Sequence, residues 1–95
     1  MEALTRKNIS RTALRRHCKN LESDIKCLLS DFPADGAVKL KALKLNYENQ
    51  IKRIDAVSDE IVGMLTTEQD LEADMEECLV LSDIFYSTLA LIDEK

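Results

Sequence analysis

Few residues in this chain have types and spacings that suggest chemistry. His17 is the only histidine, and it precedes Cys18. A Cys–His nucleophile needs the two side chains within hydrogen-bond reach. On a helix, neighbours in sequence point about 100° apart and do not face each other. No second histidine or adjacent acid completes a triad. Asp74 and Glu77 lie one helical turn apart, as do Asp55 and Asp59. Paired carboxylates do acid–base work when a pocket separates their pKa values, and on exposed helices they are solvated charges. Cys18, Cys27 and Cys78 contain no CxxC, so the close ligand pairs of a zinc site are absent. There is no Gly-rich phosphate loop. These residues predict no enzyme, cofactor or metal centre. The thiols read as buried or half-buried side chains in a reducing compartment.

Charge carries the stronger signal, because it is sorted along the chain. Residues 1–31 have a net charge of +3, residues 32–66 a net of 0, and residues 67–95 a net of −8. Arg6, Lys7, Arg11, Arg15, Arg16 and Lys19 form a stretch without an acid. Glu68, Asp70, Glu72, Asp74, Glu76 and Glu77 form a stretch without a base. Two such segments face each other or face charged partners. Arg11, Arg15 and Lys19 share one helical face. That face is either paired within the fold or a contact for RNA or an anionic membrane. The interleaved aromatics and glycines that would stack single-stranded bases are missing from it.

The elements that position these residues emerge from periodicity. Ninety-five residues make one domain, 1–95, with room for one modest core. Two glycines and one proline leave few turns, which predicts an all-α chain of a few long helices. Hydrophobic residues are 45% and charged residues 33%, a balance that suits a folded, soluble domain. No apolar run approaches about 20 residues, and no signal-peptide pattern is present. The expectation is an intracellular, cytoplasmic protein.

The spacing predicts a first helix over 3–31. Its core row is Leu14, Cys18, Leu21, Ile25 and Leu28, with Phe32 next in step. Pro33 disfavours helical geometry at Phe32, and Asp35 is a candidate N-cap for the next helix. That second helix is expected over 37–65. Its row holds Leu40, Leu43, Tyr47, Ile51, Ile54, Ile61 and Leu65, with Ser58 as the one polar interruption. Such a helix is about 43 Å long, which implies an elongated shape. Thr66 with Gln69 matches a capping box, and Thr67 with Asp70 is the alternative. A third helix over 67–93 carries Leu71, Met75, Cys78, Ser82, Phe85, Leu89 and Ile92 on its expected core row. Short connections make neighbouring helices antiparallel, giving an elongated three-helix bundle. Helices one and three are then parallel, and the basic and acidic stretches share one end. Helix three is apolar around more than half its circumference near its end. Leu79, Val80, Tyr86 and Leu91 form an outward apolar set, either a thickened core against helix one or a self-association face.

The order of features resembles a known family. A basic opening helix, Leu4-Thr5-Arg6-Lys7 through Ala13-Leu14-Arg15-Arg16, is followed by Leu43-Lys44-Leu45-Asn46-Tyr47-Glu48-Asn49-Gln50-Ile51. The acidic segment Asp70-Leu71-Glu72-Ala73-Asp74-Met75-Glu76-Glu77 then leads into Ile84-Phe85-Tyr86-Ser87-Thr88-Leu89-Ala90-Leu91-Ile92. This looks like the N-terminal helical region of Gag-like polyproteins from BEL/Pao-type LTR retrotransposons. The resemblance covers most of the chain and rests on helical patterns. It implies a non-enzymatic role in particle assembly through a homo-oligomer, upstream of zinc knuckles, protease and reverse transcriptase. None of those motifs lies in these residues. The chain would be a piece of such a polyprotein or a standalone, host-co-opted descendant. Two other readings stay open beside it: a cytosolic coiled-coil adaptor, and an RNA- or membrane-binding module that uses Arg11, Arg15 and Lys19.

Overall fold

A computed structural model describes residues 2–94 as three helices, with no strand among them: α1 (Ala3–Ser30), α2 (Gly36–Met64) and α3 (Glu68–Asp93). Each expected boundary is met within a residue or two. α1 stops at Asp31, one step before the Phe32-Pro33 break, where the backbone leaves the helical region. Gly36 opens α2 and donates its N–H to the carbonyl of Pro33 at 3.0 Å. A Cβ at this position would lie 2.8 Å from the Phe32 ring, so a residue without a side chain lets the turn close. Asp35 occupies the N-cap position as expected, but its side chain makes no cap bond; it pairs with Lys39 one turn on. At the second junction the Leu65 N–H returns to the carbonyls of Ile61 and Val62. Thr67, the second of the two candidates, then caps α3 by accepting the Asp70 N–H at 3.2 Å.

Side-chain pairs fix the directions of the helices. Along α1, Lys7 meets Glu60, Arg11 meets Ser58 and Glu22 meets Tyr47, so α1 and α2 run antiparallel. Lys44 meets Asp93 while Ser58 lies by Cys78, so α2 and α3 are antiparallel too. Arg11 with Asp74 and Arg15 with Glu77 make α1 and α3 parallel. The molecule measures 51 × 24 × 15 Å, in keeping with the length of α2.

α1 packs most closely on α2, and α3 lies across the pair. The core joins Cys18, Leu21 and Ile25 of α1 to Leu40, Tyr47 and Ile54 of α2 and to Phe85 and Ile92 of α3. Burying each large apolar side chain contributes about 1.5–3 kcal/mol. Ile61 is buried as well. Leu14, Leu28, Ile51 and Leu89 are partly covered and pack against this cluster. Leu71 and Cys78 are partly buried. The Tyr47 and Phe85 rings meet edge to face, with centroids 6.0 Å apart. The Tyr47 hydroxyl donates to Glu22 Oε2 at 2.8 Å.

α3 departs from its expected row. Met75 is 51% exposed rather than in the core. The inward residues are Leu71, Asp74, Cys78, Leu81, Phe85, Thr88 and Ile92, still at steps of three and four. Asp74, Leu81 and Thr88 replace Met75, Ser82 and Leu89 at the centre of the face. α3 has apolar residues over more of its surface than two neighbours cover, so periodicity alone admits both rotations. The pairing of Asp74 with Arg11 accompanies the observed one.

Candidate functional site

Two sides of α3 carry the residues singled out in the sequence. The first faces α1. Arg11 continues the α1 core row backwards, three residues before Leu14, and its side chain is 5% exposed. Its guanidinium grips Asp74 with both terminal nitrogens, Nη1 to Oδ2 at 3.1 Å and Nη2 to Oδ1. Nη1 also donates to Ser58 Oγ at 3.3 Å, and Nη2 to Asn8 Oδ1 at 3.4 Å. The polar gap at Ser58 in the α2 row is therefore where α2 accepts this arginine. Cys78 Sγ lies 3.7 Å from Arg11 Nη1 and 3.6 Å from Arg15 Nη2. Arg15 Nη1 donates to Glu77 Oε1 at 2.8 Å. The fork geometry suits a buried carboxylate better than a lysine would. Hydrogen bonding to Arg11 holds the Asp74 carboxyl below its ordinary value, and the same bond raises Arg11.

Arg11, Arg15 and Lys19 are thus not an open anion-contact face. Arg11 and Arg15 turn to acids of α3, and Lys19 is exposed without an ion pair among the described residues. Part of the signal for this was in the sequence: Arg11 lies three residues before Leu14 on the α1 row and Ser58 interrupts the α2 row, but the expected α3 row ran through Met75 and missed Asp74.

The second side of α3 faces α2 across a groove of about 290 Å3. Ile54 and Val62 of α2 and Met75, Leu79, Leu81 and Phe85 of α3 make it apolar. Asp55 and Asp59 stand on its α2 wall. Burial, and then the neighbouring Asp59, push the Asp55 carboxyl above its ordinary value. Neither acid has an ion pair among the described residues.

The four outward apolar residues are all exposed, but they do not form one strip. Residues 75, 79, 82 and 86 share a row at steps of 4, 3 and 4, which sets Leu79 and Tyr86 beside the groove. Val80 and Leu91 fall on the opposite flank. There Leu91 and Ile84 line a shallow hollow with Lys26 of α1. Adjacent helix residues diverge by about 100°, which is why Leu79 and Val80 part company.

No other cluster of reactive groups stands out among the described residues. Cys18 is fully buried, and burial pushes its thiol up to about 11, so it is inert at neutral pH. Cys27 is exposed on α1 and lines neither side of α3. No three potential metal-ligating side chains cluster among the described residues. No helix is long and apolar enough to cross a membrane. No protein-family model matches this chain, and no curated protein or solved structure matches it.

Proposed function

We propose that the chain is a non-enzymatic assembly module that associates with copies of itself through the groove side of α3. One observation carries this reading. Tyr86 and Leu79 are 71% and 67% exposed, and together with Met75 they extend the apolar lining of the groove onto open surface. An apolar row broken only by Ser82, beside an apolar groove, is a surface that a partner would cover. The buried Arg11–Asp74 pair supports the same reading, because it fixes the rotation of α3 that leaves Met75 outside. Assembly of a particle, the role implied by the resemblance to Gag-like helical regions, is one setting in which such a module would act.

Light scattering across protein concentration tests the proposal. The expected result is a mass that rises with concentration, and a Tyr86→Glu protein that stays monomeric with unchanged helicity by circular dichroism. A strictly monomeric wild type at high micromolar concentration would end the self-association reading and turn attention to an adaptor that awaits a different protein.

A further inference from the structure

Two rows of exposed residues, one on α1 and one on α3, carry charges outside the ion pairs of the fold, and their patterns match. On α1, Arg6, Ile9, Ala13 and Arg16 form a row at steps of 3, 4 and 3. Ile9 lies nine residues from the buried Cys18, and nine steps of about 100° make a half-turn, so this row points directly away from the core. Ile9 is exposed, and a shallow hollow runs along it between Thr5 and Arg16. On α3, Glu72, Glu76, Leu79 and Asp83 form a row at steps of 4, 3 and 4; Leu79 lines the groove, and Asp83 borders the hollow on the opposite flank with Lys26. All eight of these residues are exposed. None of the two arginines and three acids enters an ion pair among the described residues.

One row reads base, apolar, small, base. The other reads acid, acid, apolar, acid. The two arginines are ten residues apart, about 15 Å along the axis, and Glu72 and Asp83 are eleven apart, about 16 Å. Ala13 lets a second helix approach closely beside Ile9. Asp55 and Asp59 add two more unpaired acids on the far wall of the groove.

We infer that the outer face of α1 from a second copy of this chain packs on this α3 row, with Ile9 set against Leu79 at the edge of the groove and Arg6 and Arg16 against Glu72, Glu76 and Asp83. This inference rests on the proposed self-association. The opposite contact, α3 against α3, would bring together two acidic helices, and Arg15, which lines the groove, is already paired with Glu77. Because the α1 row and the α3 row are different patches on different helices, the contact is head to tail. A pair joined this way keeps one free α1 row on one copy and one free α3 row on the other, so assembly runs past the dimer unless rotation closes a ring.

Two single substitutions test this. Arg16→Glu disables only the α1 row, and Leu79→Glu disables only the α3 row; both residues are exposed, so the fold is kept and circular dichroism checks it. The expected wild-type mass passes the dimer as concentration rises and falls again at high salt. Each variant alone associates at least about tenfold more weakly. Mixed one to one, they form a dimer and nothing larger, since the intact α1 row of one copy fits the intact α3 row of the other. A wild type that never associates overturns both this inference and the reading under it. A wild type that stops at the dimer, an Arg16→Glu protein that associates like wild type, or a mixture that stays monomeric overturns the head-to-tail contact alone.

Discussion

The two sides of α3 treat charge in opposite ways. Toward α1, Asp74 and Glu77 each have an arginine, and Asp74 is held by a fork that also reaches Ser58 of α2. Toward the groove, Asp55 and Asp59 have no ion pair among the described residues and repel each other, and Glu72 and Asp83 on the outer row of α3 have none either. The fold has no use for the second set. Charge that is matched inside the molecule selects how the helices meet, since a buried charge left unpaired costs far more than a wrong apolar contact. Charge that is left over on a wall beside apolar side chains is available to a partner. The sorting of bases and acids along the sequence therefore serves two ends, one on each side of the same helix.

The largest effect expected is at the residue both sides share. Phe85 is buried, packs on Tyr47 and lines the hollows on either side of α3. Phe85→Ala should cost about 3–5 kcal/mol in a denaturant titration, a large part of the stability of a domain this small. A loss below about 1 kcal/mol would mean that α3 is held by its polar seam and not by its apolar floor. Ile51→Ala should cost less, because Ile51 is only partly covered at the edge of the cluster.

Next comes the seam itself. The Arg11 and Asp74 side chains are 5% and 12% exposed. Arg11→Met leaves a nearly buried carboxylate without its partner, and should cost about 3 kcal/mol. Adding Asp74→Leu should return most of that loss, because the pair as a whole exchanges desolvation for attraction and nets little. A double variant as unstable as the single one would show that the seam stabilises the fold outright. Association through the groove should survive in the double variant only if α3 keeps its rotation. A change in oligomeric mass without a change in melting would therefore expose the seam's role in orienting Met75 and Leu79.

How much of this could be read from the sequence differs between the two sides. Steps of three and four located all three helices and most of the core, because α1 and α2 have narrow apolar rows flanked by charge. The same rule misplaced Met75 on α3, where apolar residues occupy more of the circumference than the fold covers. The charge sorting showed that basic and acidic segments share an end. It did not separate Arg11, which sits on the core row and is buried, from Lys19, which lies one residue past Cys18 and is exposed. Helical phase makes that distinction, and Ser58 in the α2 row was its counterpart. The groove was out of reach, since its walls come from side chains of two helices whose rotation had first to be known.

The smallest effect expected separates Asp74 from Asp55, two carboxylates in one small domain with shifts of opposite sign. Asp74 is held below its ordinary value of 3.8 when folded, so the stability it contributes is fully present above that value and is lost as pH falls through the lowered one. Asp55 is raised above 3.8 when folded, so its ionisation opposes folding at neutral pH, and the penalty vanishes as acid protonates it. Asp55→Asn should therefore raise stability at pH 7 slightly, by no more than about 1 kcal/mol for a group this open to solvent, and should change nothing near pH 3. Asp74→Asn should lower it at pH 7, with the difference narrowing toward acid. High salt should trim only the part of the Asp55 gain that comes from Asp59, because that repulsion acts at the surface, while the part due to burial stays and the Arg11–Asp74 attraction is shielded from ions. Equal and same-signed changes for the two variants at pH 7 would break the contrast between a side of α3 that uses its charge and a side that leaves it open.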